Sequence, residues 1–437
     1  MTRSNSQARR SRWLLAAAPL ALAMTLAACS EDAPGTGGSG SANPSDEPQT
    51  ITFTYVQANP DETYYDTLAK DFEAANPGVT VKQNKIALTA ADQTIPTQLQ
   101  AGNGPDVFWI NAGSGIQTSV GQLGKAGLLL PLDSSVYAGI PESQMAGYDL
   151  DGKTYGVPSS SQVNGSVFND ELAQSVGVNV TATSTINDIT AQCPKAVAKG
   201  QSVYGLAGST PQNNGILAVS IAGSAVYGVN PNWNQDRTDG KTTFASTEGW
   251  KQTLQAIVDL NGAGCFQKGA AGAGFDALTN GAASGKLYGF FAPSGAAKSI
   301  MDGSGGRAKL IVLPAPAPAG VAQKLTLSSN TGLAGNAATK SPSLVQKFLA
   351  FSVSAAESKK IADAQGSIPI GEVTASSLLP QYAPVADLVT SGNTIAYGAD
   401  GWPNPEVYNA LGTGITGLLT GQKSIDDVLN AMDAAWG

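Results

Sequence analysis

Histidine is absent from all 437 residues, and its absence removes whole classes of chemistry. No Ser-His-Asp or Cys-His triad can be assembled, and no zinc or haem can be held by imidazole. Cysteine is scarce as well. Beyond Cys29 only Cys193 and Cys265 occur, too few soft ligands for a metal site. In an oxidising compartment one disulfide between them is the plain reading, with two buried free thiols as the alternative. After residue 12 the only arginines are Arg237 and Arg307, so Arg-based capture of anions is disfavoured. No apolar run after residue 28 is long enough to span a bilayer.

The start of the chain is different. Residues 1–28 hold Arg3, Arg9, Arg10 and Arg12, no acidic residue, and a short apolar run from Trp13 to Met24. This reads as the positive and hydrophobic regions of an export signal. Leu26-Ala27-Ala28-Cys29 follows, resembling the lipobox of bacterial lipoproteins, in which the thiol of Cys29 receives a diacylglyceryl group. Residues 29–50, rich in Gly, Ser, Pro, Asp and Glu, cannot bury enough surface to offset their ordering entropy and read as a flexible tether. The expected protein is therefore anchored by lipid on the extracytoplasmic face of the cell membrane. Its formal net charge, −8 for the whole chain, becomes −12 without those four arginines. Such an acidic chain is a poor nucleic-acid binder. The remaining length, about 385 residues, exceeds what one core usually supports and predicts two lobes.

Local patterns predict an α/β order. Residues 51–56 alternate as a strand; Tyr65, Leu68, Ala69, Phe72 and Ala75 recur at helical spacing, and Asn76-Pro77-Gly78 stops that helix before a short strand at 79–81. A second helix ends near Gly102, and 105–110 reads as a buried strand, so the sheet is expected to be mostly parallel. Farther on, Trp250, Leu254 and Ile257 mark a helix, 309–313 a strand, and Ser343 and Ser424 the starts of capped helices. Trp250 and Trp436 read as core, Trp233 as a surface hairpin residue, and Asp106 as the structural acceptor of its turn.

Five segments in order carry a resemblance. They are 72–81 (FEAANPGVTV), 99–108 (LQAGNGPDVF), 150–158 (LDGKTYGVP) with 168–172 (FNDEL), 331–354, and 418–424 (LLTGQKS) with the last helix. Together they resemble the family 1 extracellular solute-binding proteins, the group that includes the maltose-binding proteins of sugar importers. One departure is Thr185-Ile186, where many relatives carry Thr-Trp. The resemblance implies a two-lobed periplasmic-binding-protein fold of type II, each lobe a mostly parallel sheet flanked by helices. It places residues 51–158 and 314–354 in lobe 1 and 159–313 and 355–437 in lobe 2. It implies a monomer without cofactor or metal that captures a sugar or oligosaccharide between its lobes and docks on an ABC permease.

An interlobe sugar site needs aromatic faces for C–H surfaces and amides, hydroxyls or carboxylates for sugar hydroxyls. Trp109 and Asn111 stand at the carboxyl end of a buried strand, where ligands of open α/β sheets collect; the alternative for Trp109 is the core. Trp402 lies in a loop without helical period and either stacks on ligand or plugs the lobe against its final helices. Tyr55, Gln57 and Asn59 follow the first strand, Ser159 and Ser160 the first crossing; Asn213 and Asn214 precede a helix, Phe290 and Phe291 follow Gly289, and Asn330 precedes a returning strand. Two other readings compete. A non-sugar solute would need clustered acids or arginines in the cleft, and a secreted glycosidase would need a carboxylate pair among loop acids such as Asp61, Glu62, Asp151, Asp400 and Glu406.

Overall fold

The computed structural model describes residues 49–57, 63–114 and 116–437. The expected signal peptide, the lipidation site Cys29, nearly all of the tether, and Asn59 lie outside the described residues. Thr50, assigned to the tether, already pairs with Thr80 in the first sheet. No helix among the described residues is long and apolar enough to cross a membrane.

The first sheet grows from strands β1 (Thr50–Gln57), β2 (Thr80–Ala87) and β3 (Val107–Asn111). Both β2 and β3 run parallel to β1, each reached through a helix, Tyr64–Ala75 and then Leu88–Gln100. A hairpin of β4 (Asp149–Leu150) and β5 (Lys153–Thr154) turns through Asp151 and Gly152 at φ 51° and 73°, the left-handed pair that an Asp-Gly turn supplies. After it come β6 (Gly156–Pro158) and, in the other lobe, β7 (Gln162–Phe168), β8 (Ser202–Gly205), β9 (Leu287–Pro293), β10 (Ile311–Pro314) and β11 (Leu325–Ser328). Strand β12 (Thr331–Gly335) returns to the first sheet, and β13 (Thr394–Ala396) joins the second.

The sheet orders are β2-β1-β3-β12-β6 and β13-β11-β7-β9-β8, with β10 also on β7. Both are mostly parallel with one strand reversed: β12 is antiparallel to β3 and β6, and β7 is antiparallel to β9, β10 and β11. The reason lies in the connections. Strand β12 enters directly from the second lobe at the carboxyl end of β3, with Thr331 opposite Asn111, without the helical crossover that a parallel partner requires.

Each sheet has its own core. Phe53, Phe72, Phe108, Trp109 and Phe348 fill the first. One face of the second sheet packs on a cluster of Tyr227, Trp233, Phe244, Trp250, Trp402 and Trp436, and the other on Val163, Phe290, Leu327 and Tyr382. Trp233, expected on a surface hairpin, is helical and buried; its Nε1 donates to Thr247 Oγ1 at 2.9 Å and its ring lies 4.7 Å from that of Phe244. Of the polar neighbours that suggested exposure, Asn234 itself turns inward and donates to the Gly398 carbonyl at 2.8 Å. Ser424 caps the last helix in a capping box with Asp427, whereas the helix expected to start at Ser343 begins at Pro342 after Ser341.

Two lobe boundaries move from their expected places. Leu325–Ser328 pairs with β7 and β13, so the second passage between sheets falls at Ser329 and Asn330 instead of near Pro314. The helix Ala355–Gln365 packs Ile361 into the first core, and Lys360 Nζ lies 2.7 Å from Asp71 of helix Tyr64–Ala75. The third passage therefore follows Gln365 rather than Ser354. Ser354 caps a helix that doubles back within the same lobe.

Asp106 binds the first lobe together. Its carboxylate accepts from Thr52 N at 2.8 Å, Thr52 Oγ1 at 2.7 Å and Thr339 Oγ1 at 2.6 Å, joining β1 to the segments flanking β3 and β12. Asp106→Ala strands three donors and should lower the unfolding free energy by roughly 2–3 kcal/mol. A shifted urea midpoint with unchanged ligand affinity is the expected result.

Candidate functional site

The three passages between the sheets are bonded to one another. Ser161 and Ile368 exchange backbone hydrogen bonds at 2.9 and 2.8 Å, and Ser161 Oγ meets Ser329 Oγ at 2.8 Å. Ser159 Oγ lies 2.6 Å from Tyr65 Oη, and Ser160 Oγ donates to Gln365 Oε1 at 2.5 Å. Tyr148 Oη donates to the Ser329 carbonyl at 2.7 Å. Ser159 and Ser160, expected to touch ligand, are instead buried parts of this hinge.

Beside the hinge a cavity of about 240 Å³ opens between the lobes. The first lobe contributes Asn111 to Ser114, at the carboxyl end of β3, and Ile116. The second contributes Asp400, Trp402 and Tyr408, and Asn330 stands on the passage between them. The backbones touch here: a Cβ on Gly113, at φ 73°, would sit 2.7 Å from the Asp400 carbonyl oxygen, so only glycine fits. Ala112 N donates to the Asn330 carbonyl at 2.9 Å. With its amide nitrogen turned to Asp400, Asn330 donates to the two carboxylate oxygens at 3.0 and 3.3 Å.

Asp400 is carried by a 3₁₀ turn, Gly398–Gly401. Loss of hydration pushes its carboxyl group up to about 7, and the Asn330 bonds, which favour the charged form, act against that. Trp402 forms a wall, its ring 6.0 Å from that of Tyr408 and its Nε1 donating to Tyr227 Oη at 3.0 Å. Tyr397 Oη and Tyr408 Oη are 2.9 Å apart, and Tyr408 donates on to the Gln212 carbonyl at 3.1 Å.

Of the residues expected at the site, Asn111, Asn330 and Trp402 converge on this cavity. Gln57 is partly buried at the end of β1. The others serve the cores. Tyr55 is buried and donates to Asp66 Oδ1 at 2.6 Å; Trp109 is 7% exposed within the first core. Asn213 is bound up with Phe291 O and Ala207 N, each at 2.9 Å, and Asn214 with Gly208 O at 3.1 Å and Gly412 O at 2.9 Å. Phe290 and Phe291 pack into opposite faces of the second sheet, as adjacent strand residues must. Sequence reasoning weighed Asp400 only as a loop acid for a glycosidase and did not bring it, or Tyr408, to this cavity. The only cue was their nearness to Trp402 in a loop without helical period.

A second interlobe cavity, about 1070 Å³, is lined by Tyr64, Gln162, Pro293, Lys298, Thr331 and Gln365. Cavities of about 420 and 600 Å³ belong wholly to the second lobe.

The model of the bacterial extracellular solute-binding protein family matches residues 58–359. Three Brucella proteins, whose names say no more than that they bind, are 27% identical over 146 residues, 32% of this chain and 34% of theirs. The matched segment thus spans about a third of those curated relatives. Among solved structures, a family 1 extracellular solute-binding protein of Bifidobacterium longum subsp. infantis superposes with a TM-score of 0.69 at 21% identity, covering 89% of this chain and 98% of that one. RafE in complex with raffinose gives 0.65 at 21%, covering 89% and 98%, and a chitin oligosaccharide binding protein 0.68 at 19%, covering 89% and 98%. Two sheets, each with its own core and joined by three bonded passages, constitute the two-lobed type II arrangement of these structures. The family model covers more than half of the chain, which therefore belongs to the bacterial extracellular solute-binding proteins.

Proposed function

We propose that this chain is the solute-binding subunit of an ABC importer, capturing a sugar or oligosaccharide between its lobes and delivering it to a membrane permease. The observation that carries this reading is a cavity walled by both lobes and lined by an indole, a phenol, three amides and a carboxylate, the groups that grip a pyranose. The sugar names of RafE's complex and of the chitin oligosaccharide binding protein support the solute class. Asp400 is the single carboxylate among the described residues lining the cavity, whereas glycoside hydrolysis uses two. The export signal and lipobox support a tether through Cys29 to the outer face of the membrane. On this reading lobe 1 comprises about 51–158 and 330–365, and lobe 2 the remainder, and ligand shifts a hinge equilibrium toward the closed form that the permease recognises.

The test is a thermal-shift screen against mono- and oligosaccharides, polyamines and amino acids. Saturable stabilisation by one saccharide class is expected, since a ligand that binds only the native state stabilises it by mass action. Asn111→Ala and Tyr408→Ala should each weaken that binding by about tenfold, the loss of one good hydrogen bond or stacked face. A response confined to polyamines or amino acids would overturn the carbohydrate assignment.

A further inference from the structure

The interlobe cavity carries an unbalanced charge. Apart from the phenol of Tyr408, Asp400 is the only ionisable group among the described residues that line it. Its side-chain donor is the neutral amide of Asn330. The groups facing it from neighbouring elements are the phenols of Tyr148, Tyr397 and Tyr408. Burial pushes each of them far up, with the Asp400 charge as a lesser cause, so they stay neutral. Desolvation alone accounts for the displacement of Asp400, and no lysine or arginine offsets it. Asp400 is partly buried rather than sealed from solvent; a carboxylate partly withdrawn from water without a cation is disfavoured, and a ligand that brings the cation relieves that. A neutral sugar offers hydroxyl donors only, whereas an ammonium group offers donors and a full charge. The aromatic faces of Trp402 and Tyr408 suit both a cation and the C–H surface of a ring.

We propose, resting on the sugar-capture reading, that Asp400 sets the specificity of this cavity, selecting a saccharide that carries a protonated amine over its neutral counterpart.

Calorimetric titration of the purified mature protein tests this with four probes: cellobiose, the matching glucosamine disaccharide, its N-acetylated form, and spermidine as an amine without a sugar. The glucosamine disaccharide should bind about tenfold tighter than either neutral disaccharide, because charge-assisted hydrogen bonds are roughly twice as strong as neutral ones. Asp400→Asn keeps the shape and an acceptor for Asn330, and should erase that preference, so that the amine and neutral disaccharides bind alike. The preference should also grow as pH rises from about 5 to about 7, as the carboxylate ionises while the amine stays protonated, and should be flat in Asp400→Asn.

A ligand-free readout accompanies it. A carboxyl group raised by folding makes the native state hold its proton longer than the unfolded chain. The wild-type melting temperature should therefore fall, relative to Asp400→Asn, as pH rises from about 4 to about 7. Equal affinity of the wild type for amine and neutral disaccharides, or a preference that survives in Asp400→Asn, overturns the proposal and leaves sugar capture standing. Binding of spermidine with no binding of any saccharide overturns both.

Discussion

Replacing Cys193 and Cys265 together by alanine lowers the unfolding free energy by about 4 kcal/mol, the loop-closure entropy that a bond across 72 residues removes from the unfolded chain. The bond joins the start of helix Cys193–Val197 to the segment that pairs beside β8, and both cysteines are fully buried. Alanine is the better probe because serine would leave a buried hydroxyl in search of a partner. Both positions belong to the second core, remote from the interlobe lining. The variant's urea midpoint should therefore drop while ligand affinity, measured where it is folded, stays unchanged. Wild type treated with reductant should follow the same curve. A variant as stable as the wild type would mean that the exported protein does not draw on this bond for its stability.

Trp402→Ala produces the second large effect, a loss of about 3–5 kcal/mol of stability together with weakened ligand binding. The indole is 5% exposed, with ring centroids 5.7 Å from Phe244, 6.0 Å from Trp250 and 6.0 Å from Tyr408. Its removal opens the aromatic cluster and strands the Nε1 bond to Tyr227. One face of the same residue also borders the interlobe cavity. Trp250→Ala supplies the comparison: it is completely buried in the same cluster but outside the lining, so it should cost similar stability without altering affinity. Denaturation and titration of both variants separate the roles. If Trp402→Ala binds ligand as tightly as Trp250→Ala does, the indole is a packing residue alone.

Local signals carried the elements well. Alternation at 51–56 became β1, the stripe from Tyr65 to Phe72 became a buried helix face, and the Asp-Gly pair became the turn between β4 and β5. Ser424 with Asp427 forms the box that its spacing announces. These features depend on residues only a few positions apart, where periodicity and turn chemistry act. The site was harder to read. Asn213 and Asn214 look like any exposed amides before a helix, yet their partners Phe291 and Gly412 lie far along the chain. The serines at 159 and 160 stand where the chain changes lobes, but whether they meet a ligand or Tyr65 and Gln365 depends on how helices distant in sequence pack against that passage.

The sequence alone established that histidine chemistry is out of reach, that the length calls for two cores, and that strands alternate with helices through its first part. These follow from composition and from interactions along a short stretch of backbone. Only the tertiary structure decided that each sheet carries one reversed strand, that the passages fall after Ser328 and Gln365, and that Asp400 meets Asn330 and Gly113 across the lobes. A loop carboxylate becomes desolvated and specific only when distant segments close around it. That closure is set by sheet order and core packing, which no local pattern records.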